Sequence, residues 1–194
     1  MIFTEAFPEL EKSFGMIWRY APMGDSFVDE WHARDLDAKM IQREVDAVEE
    51  WKQSKATIHI MRDHPQHGWS ILGGMFGIKQ DTTKSKKDAL SEFISMADDD
   101  ILGQSWEKGN DQHLLSKFVA PRAKNEALVH DSYICKNNDF LKGAISLPFP
   151  TQRMVVENAT RQEPNFVGNC GDGGIMDVCP IECRPHEHKD WTFC

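Results

Sequence analysis

Between Lys39 and Lys52, Ile41, Val45 and Val48 recur at spacings of four and three, Trp51 extends the stripe, and charged residues fill the opposite face. That period predicts a surface helix with one buried side. Directly after it, Ala56-Thr57-Ile58-His59-Ile60-Met61 has the short β-branched pattern of a strand. A one-sided helix running straight into a strand buries both apolar surfaces when the two pack as layers. The alternation recurs. A second helix is expected from Lys84 to Ile101, with Leu90, Phe93, Ile94, Ala97 and Ile101 on one face and Thr83 or Ser85 as its cap. A third starts at Asn110 or Asp111 and runs through Leu114, Leu115, Phe118 and Val119 until Pro121 stops it. Ala127-Leu128-Val129-His130 reads as another strand. Beyond residue 140 the pattern dissolves into loops with Pro148, Pro150, Pro164, Gly168 and the run Gly171-Asp172-Gly173-Gly174. The expected fold is α/β with an irregular C-terminal third.

The 194 residues are the length of a single domain. With 22 basic and 31 acidic side chains the net charge is −9 and no Lys/Arg stripe is present, which argues against nucleic acid as a main partner. No apolar run approaches the ~20 residues needed to cross a bilayer, and the acidic MIFTEAFPELEK start shows no signal peptide. Cys135 stands alone, while Cys170, Cys179, Cys183 and Cys194 crowd the last 25 residues. Three readings of this tail stay open: two disulfides in an oxidising compartment, loose thiols, or a zinc site with His186 and His188.

Several short motifs bear on chemistry. In Trp31-His32-Ala33-Arg34-Asp35-Leu36-Asp37, two carboxylates one residue apart lie between a strand and a helix. Such a pair can hold Mg²⁺ or Mn²⁺, which accept one or two carboxylates together with substrate phosphates; alternatively, Asp37 caps the next helix and Asp35 is solvated. His64-x-x-His67 has zinc spacing, but Pro65 disfavours the helix that spacing requires. The GGMFG run at 73–77 either lets a backbone approach a ligand or is a plain turn. Asp111-Gln112 is a helix cap or a polar pair at a reaction centre, and His130-Asp131-Ser132 follows a strand.

The order of these pieces resembles a family of glycosyltransferase-like proteins. The resemblance rests on MIWRYAPMGD at 16–25, RDLD at 34–37, Met61-Arg62-Asp63-His64-Pro65, LGGMFG at 72–77, Asp111-Gln112, His130-Asp131-Ser132-Tyr133, Phe149-Pro150-Thr151-Gln152-Arg153 and Asn165-Phe166-Val167-Gly168. It covers roughly residues 15 to 168. It implies a GT-A type, Rossmann-like fold that binds a nucleotide-sugar donor at the carboxyl ends of its strands. It further implies a Mn²⁺ or Mg²⁺ cofactor held by Asp35, Asp37 and His130. Arg34, Asp35, Asp63, His64, Gly73 and Gly74 would contact the donor, and Asp111 and Gln112 would lie at the reacting sugar.

The implied activity is metal-dependent transfer of a sugar from a nucleoside-diphosphate sugar to a glycan or protein acceptor, by resemblance in the secretory pathway or Golgi. GT-A domains place several βα units before the Asp-x-Asp, whereas only 34 residues precede Asp35 here. The chain is therefore expected to be the C-terminal part of such a domain over 1–168, followed by a Cys/His-rich tail over 169–194. The alternatives are a truncated, non-catalytic module that binds a glycan or protein partner, and a metal-dependent hydrolase built from Asp63, His64, His67 and His130.

Overall fold

Strands β1 (Glu30–Arg34), β2 (Ile58–Arg62), β3 (Met75–Lys79), β4 (Ala127–Asp131) and β5 (Ile145–Leu147) form one open sheet in the order β1-β3-β2-β4-β5. The computed structural model that shows them describes residues 8–103, 107–135, 139–154, 165–170 and 177–194. The Gly171–Gly174 run lies outside the described residues. β3 pairs antiparallel with both β1 and β2, while β2, β4 and β5 run parallel. The fold is thus α/β with a mixed sheet. β2 and β4 are buried at all five positions, as strands must be when both faces are covered.

Strand alternation sorts the side chains into two layers. On one face, Ala33, Ile58, Ile60, Phe76, Ile78, Ala127 and Val129 form the main core. They meet Phe93, Met96 and Ala97 of helix α2 (Thr83–Gly103), Ile17, Tyr20 and Met23 of the 3₁₀ segment Gly15–Gly24, and Leu114, Leu115 and Val119. On the other face, Met61, Met75 and Leu128 pack with Ala47 and Trp51 of helix α1 (Gln42–Gln53) in two smaller clusters.

Three local expectations are corrected. Thr82, one residue before the expected cap, closes the start of α2: Ser85 N–H donates to Thr82 Oγ1 (3.1 Å) and Thr82 N–H to Ser85 Oγ (3.0 Å). This reciprocal pair satisfies two backbone donors near the helix start. Pro121 does not end the third helix. Helix α3 (Asn110–Leu114) passes into a π-helical turn, Leu115–Val119, and then helix α4 (Ala120–Glu126). Pro121 therefore sits in the first turn of α4, where a missing N–H costs nothing. Third, GGMFG is neither one loop nor one turn, because Met75 to Gly77 already belong to β3.

The tail's cysteines pair differently from the two-within-the-tail scheme. Cys179 bonds Cys194, but Cys183 bonds Cys135, and Cys170 is the free one. All four bonded cysteines are buried beside Tyr133, so the tail is stapled to the chain leaving β4. Thiols spent in disulfides hold no zinc, and two disulfides fit an extracellular or secretory location. Among the described residues no helix is long and apolar enough to cross a membrane.

Candidate functional site

A cleft of about 470 Å³ opens where four segments meet. Arg19 comes from the 3₁₀ segment, Asp35 and Asp37 from the turn after β1, Gly73 and Gly74 from the approach to β3, and Asp111 and Gln112 from the start of α3. One buried carboxylate sets two of these walls together: Asp100 on α2 accepts Phe14 N–H (2.6 Å) and Asn110 Nδ2–H (2.7 Å). The third wall is set by Arg34, which grips Glu44 of α1 through Nε and Nη2 and donates from Nη1 to Ala38 O (3.0 Å). With Ala38 N–H on Asp35 O (3.2 Å), this closes the RDLD turn. Leu36 consequently points outward and the two aspartates turn to the cleft. Asp37 does not cap α1; the residue at that position is Ile41.

Inside the cleft, Arg19 Nη1 lies 2.7 Å from Asp35 Oδ1 and 4.0 Å from Asp111 Oδ2. Tyr20 donates its hydroxyl to Asp111 Oδ2 (3.2 Å), and burial beside that carboxylate raises the phenol's pKa well above its usual value. Asp111 is 1% exposed, yet its Oδ1 and Gln112 Oε1 have no hydrogen-bond partner among the described residues. Buried acceptors left open in this way await a donor. The glycines are required here. A Cβ at Gly73 would lie 2.6 Å from Asp111 Oδ2, and one at Gly74 would collide with the Asp35 carboxylate. Lys108 lines the rim without an ion-pair partner among the described residues.

A hard divalent cation accepts two carboxylates completed by substrate phosphates. Asp35 Oδ2 and Asp37 Oδ1 are free of hydrogen bonds among the described residues, with Arg19 on Asp35 Oδ1 and Asn169 Nδ2 on Asp37 Oδ2 (2.9 Å). Each carboxylate thus keeps one oxygen without a hydrogen bond among those residues. Among the described residues no three His, Cys, Asp or Glu side chains are grouped as metal ligands. Asp63 pairs with Arg43 and Arg153, and His130 with His59 and Glu50, rather than with one another.

Arg34, Asp63, His64 and His130 do not line this cleft. Asp63 is wholly buried between Arg43 and Arg153. His64 uses Nδ1 to accept Gln66 N–H (3.0 Å), and His67, which does line the cleft, uses Nδ1 to accept Asp63 N–H (3.1 Å). Burial lowers the His67 pKa to about 3, so it is neutral, with its hydrogen on Nε2. Arg19 and Tyr20 lie in the MIWRYAPMGD stretch, which gave neither a role, and Lys108 lies in no motif; Arg19 acquires its role only through a contact 16 residues away.

His130 instead ends a row of imidazoles on the α1 face of the sheet. Nitrogen–nitrogen contacts of 2.9 Å join His32 to His59 and of 2.7 Å join His59 to His130, whose Nε2 lies 3.0 Å from Glu50. Gly77 lies between His32 and His59 in the register of β1, β3 and β2. A Cβ there would strike the His32 ring, so the third glycine of GGMFG opens the way across β3. Glu50, held ionised by His130, can only accept. Every ring must then carry its hydrogen on Nε2, and His32 Nδ1 is left without a partner.

Burial depresses the pKa of all three rings, that of His32 to about 4. The unfolded chain therefore binds more protons below pH 6.5. Stability is flat above that value and falls as pH drops toward about 4. His32 alone accounts for up to roughly 3 kcal/mol of this loss. Urea midpoints measured from pH 7.5 down to 4.5, above the ordinary range of most carboxylates, test it; an unchanged midpoint would contradict a neutral row.

No protein-family model, no curated protein and no solved structure matches this chain.

Proposed function

We propose that this chain carries out metal-dependent sugar transfer from a nucleoside-diphosphate sugar, at the cleft of Asp35, Asp37 and Asp111, on a GT-A type scaffold. One observation carries the reading. Asp35, Asp37, Gly73, Gly74, Asp111 and Gln112, which the glycosyltransferase resemblance assigns to donor, metal and reacting sugar, come from three separated segments and line a single cleft. The volume suits a small ligand, and Arg19 and Lys108 supply positive charge for a diphosphate.

Mn²⁺ or Mg²⁺, when bound, supplies Lewis-acid stabilisation of the negative charge on the departing phosphate. The chain's own groups do the remainder. As the bond from the anomeric carbon to the phosphate oxygen breaks, its electron pair leaves with the nucleoside diphosphate. An acceptor hydroxyl oxygen bonds the anomeric carbon and releases its proton to solvent, and positive charge builds on the sugar between the two events. Asp111 Oδ1 and Gln112 Oε1 present oxygens to it or to its hydroxyls. Tyr20 and Arg19 hold Asp111 in place, and the bare backbone at Gly73 and Gly74 leaves room beside both carboxylates.

A second reading, a non-catalytic module for a glycan or protein partner, is favoured by the Arg19–Asp35 ion pair, which already neutralises one metal-ligand candidate. Thermal unfolding with a panel of nucleoside diphosphates, each with and without Mn²⁺, separates the two. A nucleotide at about 100 times its Kd adds about 2.7 kcal/mol, a rise of roughly 5–10 °C. We expect such a rise with one nucleotide, dependent on Mn²⁺ and abolished by Asp37→Ala with the unliganded midpoint unchanged. No rise with any nucleotide leaves the binding-module reading.

A further inference from the structure

Trp69 separates the cleft from a second groove of about 580 Å³ and lines both. Its ring is 47% exposed, and among the described residues it makes no hydrogen bond and no ring contact. The other described tryptophans are engaged. Trp18 donates to Leu10 O, Trp51 donates to Ala56 O, Trp31 packs edge-on to Phe76, and Trp191 stacks on His188. A large ring left half in water gives up part of the burial that a side chain of this class gains in a core. The chain neighbours of Trp69 two positions either way are fixed: His67 is buried and accepts Asp63 N–H, and Ile71 is buried in the main core. An exposed aromatic face between anchored residues offers a platform for a ligand.

The rest of the groove indicates which ligand. It is also lined by Ser70 and Ser116, whose hydroxyl oxygens lie 2.8 Å apart, and by Lys124 and Asp139. Neither Lys124 nor Asp139 has an ion-pair partner among the described residues. One cation and one anion cancel, so the groove favours neither an anionic nor a cationic occupant. Hydroxyls and opposite charges around one flat apolar face match a molecule with a C–H face and a hydroxyl rim. We propose that this groove binds a neutral saccharide stacked on Trp69, and that in the transferase reading, on which this last step rests, that saccharide is the acceptor, presented to the cleft across the shared tryptophan.

The test uses the whole chain with neutral disaccharides of the maltose, cellobiose, lactosamine and chitobiose types, without nucleotide or metal. Saturation-transfer NMR and tryptophan fluorescence report binding. At least one sugar is expected to bind. Trp69→Ala should weaken it about tenfold or more and Trp69→Phe less, as loss of a stacked aromatic face predicts; Lys124→Ala and Asp139→Ala should also weaken it. Equal thermal midpoints for the variants exclude a folding artefact. No binding by any of the four sugar types, or binding that Trp69→Ala leaves intact, overturns the proposal. The nucleotide shift, run on the same samples, is scored separately. Sugar binding without it keeps the saccharide groove and removes the transferase; the shift without sugar binding does the reverse.

Discussion

Asp63→Ala should unfold the protein or cost about 3–5 kcal/mol, the range for breaking a buried ion pair by deleting one partner. Asp63 is fully buried and accepts from five donors. They are Arg43 Nε (2.8 Å) and Nη2 (2.9 Å), Arg153 Nη2 (2.7 Å), Ser132 Oγ (2.6 Å) and Val167 N (2.9 Å). Burial pushes its pKa up, but Arg43 and Arg153 overcome that and hold it well below the carboxylate range. Removing it strands two guanidinium groups inside the protein, Arg43 against the Phe149 ring and Arg153 against Tyr133. The midpoint should fall by roughly 10 °C or more. Asp63→Asn, which keeps the shape and loses the charge, guards against a variant too unstable to purify and should show a smaller loss in urea. A donor-contact role would give the opposite pattern, with an unchanged midpoint and weakened nucleotide binding.

Asp63 also shows where sequence reading stops. The Met61–Pro65 motif is visible as a string, and a carboxylate beside a histidine looks like a site. Its meaning depends on Arg43, 20 residues earlier, and Arg153, 90 residues later, which no local pattern connects. Periodic elements were legible because their signal is local. The spans of α1, α2, β2 and β4 end within two or three residues of where expected, but the buried helix faces differ. Val45, Leu90 and Ile94 are exposed, while Arg43, Glu44 and Ala47 of α1 and Ala89 and Met96 of α2 turn inward, the two charged residues of α1 being drawn in by ion pairs with Asp63 and Arg34. Gly77 belonged to a run read as either a close approach to a ligand or a plain turn, and what approaches it is the His32 ring. Pro121 misled because a stop signal was read without the π turn that accommodates it. Within the cleft, the aspartates, the glycines and Gln112 were visible as motif members. Arg19 and Tyr20 were members of the MIWRYAPMGD stretch without an assigned role, and Trp69 belonged to no motif, because a side chain's role there arises from segments that meet only in three dimensions.

Removing the Cys135–Cys183 bond should cost about 4 kcal/mol, since it closes a loop with a sequence separation of 48 and the chain-entropy cost of such a loop in the unfolded state is of that order. The Cys179–Cys194 bond, with a separation of 15, should be worth about 3 kcal/mol on the same account. Cys135→Ala combined with Cys183→Ala adds no new free thiol, so its urea midpoint measures the staple itself. Before any mutation, thiol titration of the unfolded, unreduced chain should find one free thiol, Cys170; five would mean that the tail is held by packing alone. The staple and the Asp63 cluster should not act independently. Tyr133, against which the bonded cysteines pack, accepts from Arg153 Nη1 (2.7 Å), the same arginine that neutralises Asp63. Residues that share a partner in this way couple by about 0.5–3 kcal/mol. The double cysteine variant combined with Asp63→Asn should therefore depart from the sum of the two losses, and strict additivity would show that the tail is fastened to the chain after β4 without supporting the charge cluster beneath it.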